Sequence, residues 1–270
     1  MTDNDSADLD TEAASEEGPE MEPKIAHHGA YIEETKTILR AYVECQSYDE
    51  LKRQVVEENL LKKDTDYYRK NVLREVRRRY IPDTDTYTET PLMTLVTEES
   101  RDDIVEWCMY YEFAQDPFIE FVTKEFLYPE YERGTLTVRS EALTEFLEAE
   151  KDAYPGLREK TEGTIAEAAT KYLSAMKNFG LLEGRQEKEF AVTYVPDEAI
   201  AYVTYRLFES GATGTTAINH DDWELLMLSP DDARRRMRDI SPQYVTHEKR
   251  GSTERLTPKF DSITEVINAF

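Results

Sequence analysis

Apolar residues that recur at helical spacing, in short runs separated by turns, are the feature that most restricts the fold of this chain. In the first run, Ile38, Leu39 and Tyr42 share one helix face until Ser47 interrupts the pattern. Further runs follow along most of the 270 residues. The pattern predicts a mainly α, multi-helix protein with helix-turn-helix or winged-helix units and short β-hairpin wings.

Residues 29–82 contain three of these runs, joined by tight turns. Ser47 and Glu50 have the spacing of a capping box, which predicts the start of the second helix. The third helix is predicted to run to about Tyr80 and to end before Pro82. Three short helices in this arrangement predict an N-terminal helix-turn-helix unit.

Two other regions are assigned from composition. Residues 1–28 are acidic, nearly free of large apolar residues and without periodicity, so we expect a disordered tail. Residues 83–158 are predicted to form a linker, extended over 83–97, and a middle helical region without evident site chemistry.

Residues 159–270 have the pattern of a winged-helix-like region. Thr164 and Glu167 form a second capping box, which predicts a helix that leads through GLL to a β-rich run. Later in the region, a hairpin is predicted to turn at Gly251. Its tip is basic, since it carries Lys249 and Arg250.

The overall charge argues at first against a polyanionic partner. The sequence has 57 acidic and 33 basic residues and a formal net charge of -24, so its mean field repels phosphate. However, the acidic residues are spread over the whole chain beside many aromatic residues, and this distribution favours a halophilic cytoplasm, where acidic surfaces maintain solubility. We therefore expect a halophilic protein whose net charge does not identify its partner.

Cysteine usage and hydropathy bear on the compartment. Cys45 and Cys108 have no short-range pairing, which fits a reducing cytosol. The N-terminus lacks a basic-then-apolar signal, and no run approaches the ~18 apolar residues needed to cross a bilayer. We expect a soluble, cytoplasmic protein with no membrane partner.

The densest group of cations lies in residues 62–80. On a helix, four of these cations fall on the arc opposite the apolar residues, and Lys63 is close to the same line. The four are Lys70, Arg74, Arg77 and Arg78. Such a helix fits the major groove of DNA, where arginine bonds guanine or clamps phosphate. The alternative is a solvated face whose cations pair with acids elsewhere in the chain.

Signatures of catalysis are missing from the sequence. The stretch GATGTT lacks the lysine of a phosphate-binding loop, and HExxH, CxxC and GxSxG do not occur. His220 with Asp221 and Asp222 has the composition of a metal triad, but a helix N-cap accounts better for the cluster. We expect no catalytic residue, no metal and no cofactor.

Two segments are similar to a known family. VVEENLLKKDTDYYRKNVLREVRRRY, residues 55–80, resembles the N-terminal signature of the BrxA family of BREX (bacteriophage exclusion) systems. GTIAEAATKYLSAMKNFGLLEG, residues 163–184, is similar to a second segment of that family, in which a helix leads to GLL. The resemblance covers roughly residues 30–270 and is strongest at these two segments.

The resemblance implies a non-enzymatic, winged-helix-containing protein that binds double-stranded DNA and works with the other BREX defence proteins against phage. By matching segment, it makes the basic residues of the first segment candidate DNA contacts, to which the hairpin tip adds two. The complete set is Lys63, Arg69, Lys70, Arg74, Arg77, Arg78, Lys249 and Arg250.

Two alternatives remain open. The helical units of an adaptor would dock partner subunits of the defence complex, with the basic helix paired to an acidic partner. A transcriptional regulator would instead bind the defence operon. Salt is a further constraint, because high salt weakens phosphate attraction and a halophilic protein needs base-edge, apolar or multivalent contacts.

Overall fold

The computed structural model describes residues 21–27, 29–99, 101–251 and 253–270. Helices dominate these residues and the sheets are small, so the predicted mainly α fold is confirmed. The α-helices are α1 (Ile32–Cys45), α2 (Tyr48–Lys52), α3 (Asp66–Tyr80), α4 (Pro91–Glu98), α5 (Asp102–Ala114), α6 (Pro117–Val122), α7 (Tyr128–Glu132), α8 (Ser140–Ala149), α9 (Pro155–Arg158), α10 (Glu162–Asn178), α11 (Asp197–Glu209), α12 (Thr215–Ile218), α13 (Pro230–Asp239) and α14 (Ile263–Ile267).

Shorter elements complete the backbone. The helical segments of other pitch are the 3₁₀ turns Lys24–His27 and Asp221–Leu226 and the π turns Arg53–Glu57 and Thr123–Leu127. The strands are β1 (Thr137–Val138), β2 (Leu182–Glu183), β3 (Lys188–Phe190), β4 (Val245–Arg250) and β5 (Thr253–Pro258). In the part of the chain that is described, no helix has the length and apolar character to cross a membrane.

Residues 29–82 contain the three predicted helices, α1, α2 and α3. The Ser47 hydroxyl accepts a hydrogen bond from the Glu50 amide at 3.4 Å and so caps α2. The Glu50 carboxylate does not complete the predicted box, because it accepts hydrogen bonds from Arg53 and Gln54 instead. A π turn continues α2, and a short loop leads to α3, which Thr65 caps.

Residues 83–97 are only partly the predicted extended linker, because α4 begins at Pro91. The Thr90 hydroxyl accepts a hydrogen bond from the Met93 amide at 3.3 Å, and Pro91 occupies the first turn, where its missing N–H costs nothing. The apolar residues of α4 are buried against α1, α5 and α14. Thr-Pro followed by a short apolar run was therefore a helix start signal.

The helix that contains Ala168 starts earlier than its sequence pattern predicted. Thr161, not Thr164, is the N-cap of α10, and its hydroxyl accepts a hydrogen bond from the Thr164 amide at 3.2 Å. Gly163 consequently lies inside the first turn of the helix. The glycine made this turn look like a loop in the sequence.

Two small antiparallel sheets follow helices. The first has the strand order β1-β3-β2, and the second pairs β4 with β5 around a turn at Gly251, as predicted. Gly184 in the β2–β3 turn has φ of +91°, and a Cβ there would lie 2.3 Å from the Glu187 carbonyl oxygen. This hairpin therefore requires glycine at residue 184.

The N-terminal segment that is described packs on the body of the protein. Residues 1–20 of the predicted tail, and also His28, lie outside the described residues. Met21 and Ile25 are buried, and the turn at Lys24–His27 contacts α10. A Cβ at Gly156 would lie 2.2 Å from the Met21 carbonyl oxygen, so the backbone crosses α9 where there is no side chain.

The buried Asp222 carboxylate ties α5 and the π turn Thr123–Leu127 to the 3₁₀ turn Asp221–Leu226. The Asp222 carboxylate accepts hydrogen bonds from the Tyr111 hydroxyl at 2.7 Å and from Lys124 Nζ at 2.9 Å. Burial raises the pKa of Asp222, but these two donors lower it by more, so its pKa lies below the ordinary value. The charged form of Asp222 therefore stabilises the fold at neutral pH.

We expect Asp222→Asn to lower the free energy of unfolding by about 1–3 kcal/mol, because Lys124 and Tyr111 lose a charged acceptor in a buried place. The measurement is urea unfolding at fixed salt. Asp221→Asn is the matched control: its carboxylate lies 3.2 Å from the same lysine but is 66% exposed, so we expect a change within about 0.5 kcal/mol. Equal losses in the two variants would contradict this account.

We expect Gly156→Ala to displace the segment around Met21 and to cost about 1–3 kcal/mol through steric overlap with its backbone. Tryptic cleavage after Lys24 should then be faster than in the original protein. Gly163→Ala is the control, since its Cβ would meet a single atom, Thr161 Oγ1, at 3.9 Å, and alanine favours a helix over glycine by up to about 1 kcal/mol. Unchanged cleavage in Gly156→Ala would show that the segment is not held at this crossing.

Candidate functional site

Two cations of the predicted stripe on α3 face solvent. Lys70 is exposed, and the side chain of Arg74 is 61% exposed while its Nε lies 3.7 Å from Glu75. The apolar arc predicted for the opposite face is confirmed, since Val72, Val76 and other residues of that arc are buried. The helix therefore has one packed side and one cationic side, as its spacing predicted.

Arg69, by contrast, is built into the fold. Its guanidinium donates hydrogen bonds to the carbonyl oxygens of Val56, at 3.1 Å, and Lys63, at 2.6 Å, and it also pairs with Asp66. The residue is 8% exposed. It anchors the start of α3 to the preceding loop and presents no guanidinium to a partner, contrary to its place among the candidate DNA contacts.

Lys63 lies in the loop before α3 and is 42% exposed. Its Nζ is 2.8 Å from the Glu34 carboxylate on α1 and 5.4 Å from the ring centre of Tyr68. Burial raises the pKa of Glu34, but the hydrogen bonds from Lys63 and Tyr68 lower it by more, so the carboxylate is charged at neutral pH. Lys63 is thus an ion-paired cation with an exposed surface.

Arg77 and Arg78 turn away from the stripe toward carboxylates. The Arg77 guanidinium stacks 4.1 Å from the ring centre of Tyr48 and donates a hydrogen bond to Asp83 at 3.2 Å. Arg78 donates to Asp116 at 2.8 Å and to Glu75 at 3.2 Å and is only 30% exposed. The alternative to DNA contact, in which the cations of α3 pair with acids of the same chain, therefore describes Arg78 well.

Helix periodicity did not reveal the residue that organises these cations, Glu75. Its side chain is 4% exposed, and its carboxylate lies within 3.7 Å of three guanidiniums. These belong to Arg74, Arg78 and Arg79. A buried carboxylate requires such partners. The clue in the sequence was a single acid inside the run REVRRRY.

Arg79 is the most buried cation of the helix. It is held by a hydrogen bond to the Gly29 carbonyl oxygen at 2.9 Å and by the ring of Phe113, whose centre is 5.0 Å away. Burial lowers the pKa of its guanidinium. Its Nε and the neighbouring Tyr80 hydroxyl have no hydrogen-bond partner among the described residues.

The C-terminal end of α3 forms one wall of a cleft of about 890 Å³. The opposite walls come from α4, α5 and α11. The arginines that line it are Arg74, Arg77, Arg78, Arg79 and Arg206. Two carboxylates, of Asp83 and Glu112, share the lining with apolar and tyrosine side chains. The cleft is therefore mainly cationic in a protein of net charge -24.

The hairpin cations Lys249 and Arg250 are both exposed, Lys249 by 58%. Lys249 Nζ lies 2.9 Å from Glu254 on β5, and Arg234 of α13 lies 2.9 Å from the same carboxylate. The hydrogen bond from Lys249, together with that from Arg234, holds the pKa of Glu254 below its ordinary value. Glu254 thus joins the hairpin to α13.

The cations of α13 were missed by the sequence reasoning, although the run ARRRMRD signals them. Arg235 is 63% exposed and pairs with Asp232, and Arg238 is exposed. Arg236 instead faces inward, where it donates hydrogen bonds to Asp197 and the Val195 carbonyl oxygen. Among the described residues, Lys70, Arg238 and Arg250 make no ion pair.

A further concavity, of mixed charge, was not expected: Glu141 and Glu187 line it beside three cations, and Arg139 pairs with Glu187. The concavity measures about 530 Å³ and lies between α8, α10 and the β2–β3 hairpin. Its cations are Arg139, Arg185 and Lys188. Burial lowers the pKa of Lys188, whose ammonium donates a hydrogen bond to the Arg185 carbonyl oxygen.

The cluster at His220 has the capping role that the sequence favoured. The His220 Nδ1 atom accepts a hydrogen bond from the Asp222 amide at 3.2 Å, at the start of the 3₁₀ turn. The Asp222 carboxylate accepts hydrogen bonds from Tyr111 and Lys124. Together with Asp221, these side chains bring three ligand-type atoms within 4.8 Å of one another.

Comparison with known proteins identifies the family. A family model described as BrxA matches residues 22–206. A solved structure described as "SspB crystal structure" has 13% identity and a TM-score of 0.44, and the alignment covers 91% of this chain and 88% of that one. That score is too low to establish a shared fold. No curated protein matches the sequence. Because the family match spans well over half of the chain, the protein belongs to the BrxA family and is a component of BREX phage defence.

Proposed function

We propose that this BREX protein is a non-enzymatic accessory protein that binds double-stranded DNA. The observation that carries the proposal is the coupling of α13 to the β4–β5 hairpin through Glu254, which holds Arg234 and Lys249 on either side of one carboxylate. The element order α11, α12, α13 and hairpin is that of a winged helix-turn-helix. A helix and a wing fixed side by side can contact neighbouring parts of a duplex.

The exposed cations of this unit lie on both elements that would contact the duplex. Arg235 and Arg238 lie on α13, and Lys249 and Arg250 lie at the hairpin tip. We assign α13 to the major groove, where arginine bonds guanine, and the hairpin to the phosphate backbone. Arg234 positions the two elements relative to each other and makes no DNA contact of its own in this assignment.

A second unit, in which helices again precede a hairpin, supports multivalent binding. The strand β1, the helices α8 and α10 and the β2–β3 hairpin form a three-stranded sheet beside two helices. Its concavity contains Arg139, Arg185 and Lys188. Two such units on one chain would raise the effective concentration of each for DNA once the other is bound.

The exposed cations of α3 are a third candidate contact. Lys70 and Arg74 face solvent and are the members of the predicted set that a convex duplex backbone reaches most readily. Lys63 is half exposed and would exchange Glu34 for a phosphate. Arg77 and Arg78 turn toward the cleft, and Arg69 is excluded by its internal hydrogen bonds.

Salt is the physical difficulty for any DNA-binding protein of a halophile. Each phosphate contact contributes a slope near -0.9 in the logarithm of affinity against that of salt, so about six contacts lose roughly five decades per tenfold rise. Several linked units offset part of this loss, because the second binding event is intramolecular. Base-edge contacts from α13 offset a further part, since they release fewer counterions.

We expect Arg235→Ala/Arg238→Ala/Arg250→Ala to weaken duplex binding at least about tenfold and to reduce the salt slope by about one for each phosphate that the variant no longer neutralises. The measurement is fluorescence anisotropy of a labelled duplex in KCl from about 0.2 to about 2 M. The same titration with Lys70→Ala/Arg74→Ala reports whether α3 contributes.

The matched control is Arg53→Ala/Arg101→Ala/Arg133→Ala. These side chains are 48–66% exposed, lie outside α13 and both hairpins, and change the net charge equally. Its affinity should stay within about threefold of the original protein. Equal weakening by both triple variants would show a general charge effect, and no duplex binding at any salt would refute the proposal.

A second candidate function, docking of other BREX proteins, is favoured by exposed apolar residues that flank the strands β1 and β3 of the first sheet. Leu136 is 83% exposed, Val192 is fully exposed and Tyr194 is 70% exposed. The β1–β3 register, extended by one residue, places Leu136 opposite Phe190, whose ring lies 5.3 Å from that of Tyr131. Leu136 adjoins the edge strand β1, while Val192 and Tyr194 follow the central strand β3. Exposed large apolar side chains of this kind are those that a protein partner would bury.

We expect Leu136→Ser/Val192→Ser to reduce co-purification of other BREX proteins from cells that express the complete system, with duplex affinity unchanged. The physical reason is the loss of apolar area that a partner would bury. Tyr67→Ser is the control, because Tyr67 is 78% exposed but lies on α3. Undiminished co-purification in the double variant would remove these residues as a docking surface.

A further inference from the structure

The cleft at the end of α3 has features that duplex binding does not explain. Its walls come from four helices, so the arginines line a partly open cleft of about 890 Å³. Phosphates of a duplex lie on a convex cylinder and cannot approach several inward-facing guanidiniums at once. A volume of this size suits a compact small molecule, since ligand pockets measure about 300–1,000 Å³.

We propose that this cleft binds a phosphorylated ligand of nucleotide size through Arg77, Arg79 and Tyr80, with its phosphate at the arginines and its organic part against the apolar wall. The inference is independent of duplex binding by α13 and the hairpins.

The arginines retain donors for an anion. Each guanidinium has five N–H donors, and Arg77 uses only part of them toward Tyr48 and Asp83. Asp83 is 95% exposed, so it is held only weakly in place and an incoming phosphate can replace it. Phosphate accepts bidentate hydrogen bonds from arginine, which a single surface carboxylate at 3.2 Å does not provide.

The floor of the cleft contains buried polar groups without partners. The Tyr80 hydroxyl and Arg79 Nε are both shielded from solvent, and neither has a hydrogen-bond partner among the described residues. Tyr80 is 6% exposed. An unsatisfied buried donor costs about 1–3 kcal/mol relative to a satisfied one. An anion that enters the cleft and draws these donors toward it recovers that cost.

The remaining lining suits an organic group. Ile81, Pro82, Pro91 and Leu92 form an apolar wall next to the arginines. The Glu112 carboxylate does not neutralise Arg77 or Arg79, because it is held on the other side by the Tyr202 hydroxyl at 2.8 Å and by Arg206. The cleft thus has a cationic end, an apolar wall and one fixed acceptor, which together match a nucleoside phosphate.

The proposal is tested by isothermal titration calorimetry of the full chain with ATP and, separately, with inorganic triphosphate, at about 0.2 M salt so that screening is moderate. Arg77→Gln should weaken ATP binding by about tenfold or more, because glutamine cannot form the charge-assisted bidentate hydrogen bonds of the guanidinium. Asp83→Asn should tighten it by about threefold to tenfold, since the competing carboxylate is removed without disturbing a buried group.

Asp85→Asn is the matched control for net charge. Asp85 is exposed and two residues from Asp83, and it does not line the cleft. ATP affinity in this variant should stay within about twofold. Equal tightening in Asp83→Asn and Asp85→Asn, or no ATP binding with a dissociation constant below about 1 mM, would overturn the proposal. Equal affinities for ATP and inorganic triphosphate would overturn the role of the apolar wall.

The phosphate could be presented by a free nucleotide or by a phosphorylated strand end, and a competition experiment distinguishes these sources. Tighter binding of a 5′-phosphorylated duplex than of the same duplex with a 5′-hydroxyl, with ATP as a competitor, would identify the strand end. Equal binding of the two duplexes, unaffected by ATP, would identify the free nucleotide. Arg77→Gln should remove either effect and leave duplex binding through α13 intact.

Discussion

The buried carboxylate of Glu75 is the constraint on which the arrangement of cations depends. A carboxylate that is 4% exposed is stable only with charged partners close to it. Arg74, Arg78 and Arg79 supply them, and Arg78 and Arg79 in turn reach Asp116 and the Gly29 carbonyl oxygen. Glu75 thereby fixes α3 against the end of α5 and against the chain that precedes α1. Without it, these three arginines would repel one another at this junction.

The helical periodicity of α3 predicted which apolar residues are buried but not which charged residues are. Val72, Leu73 and Val76 were identified correctly, because apolar spacing maps directly onto the packed face. Arg69 and Glu75 were not, because a helical projection treats every charged residue as solvated. Arg69 is buried because the carbonyl oxygens of the preceding loop, at Val56 and Lys63, accept its hydrogen bonds, and Glu75 because arginines of its own helix surround it. A helical projection contains neither the loop carbonyls nor the direction in which a charged side chain folds.

The secondary structure, like the faces of α3, was predicted from the sequence only in part. The three N-terminal helices and the hairpin at Gly251 follow from local signals, and each is present. The helix α4 was missed because it is short and lies between threonine-rich segments, and it is stabilised by packing on α1, α5 and α14. Such a helix owes its stability to tertiary contacts more than to propensity. The concavity beside α10 was also not predictable, because its lining residues come together only when α8, α10 and the β2–β3 hairpin pack.

Because the chain is so acidic, whether a cation already has a carboxylate partner says more about its availability to an anionic ligand than its position on a helix does. With 57 acidic and 33 basic residues, the fold offers most cations a carboxylate, and Arg78, Arg236 and Lys124 are used in this way. An exposed cation without such a partner, such as Arg250, breaks no ion pair of the protein when it contacts a phosphate. A cation paired to a buried acid must first lose that acid. Under the proposed function, DNA contacts are therefore expected from exposed cations that have no ion pair or only an exposed partner, while a cleft such as that beside Arg77 suits a ligand that displaces a single exposed carboxylate.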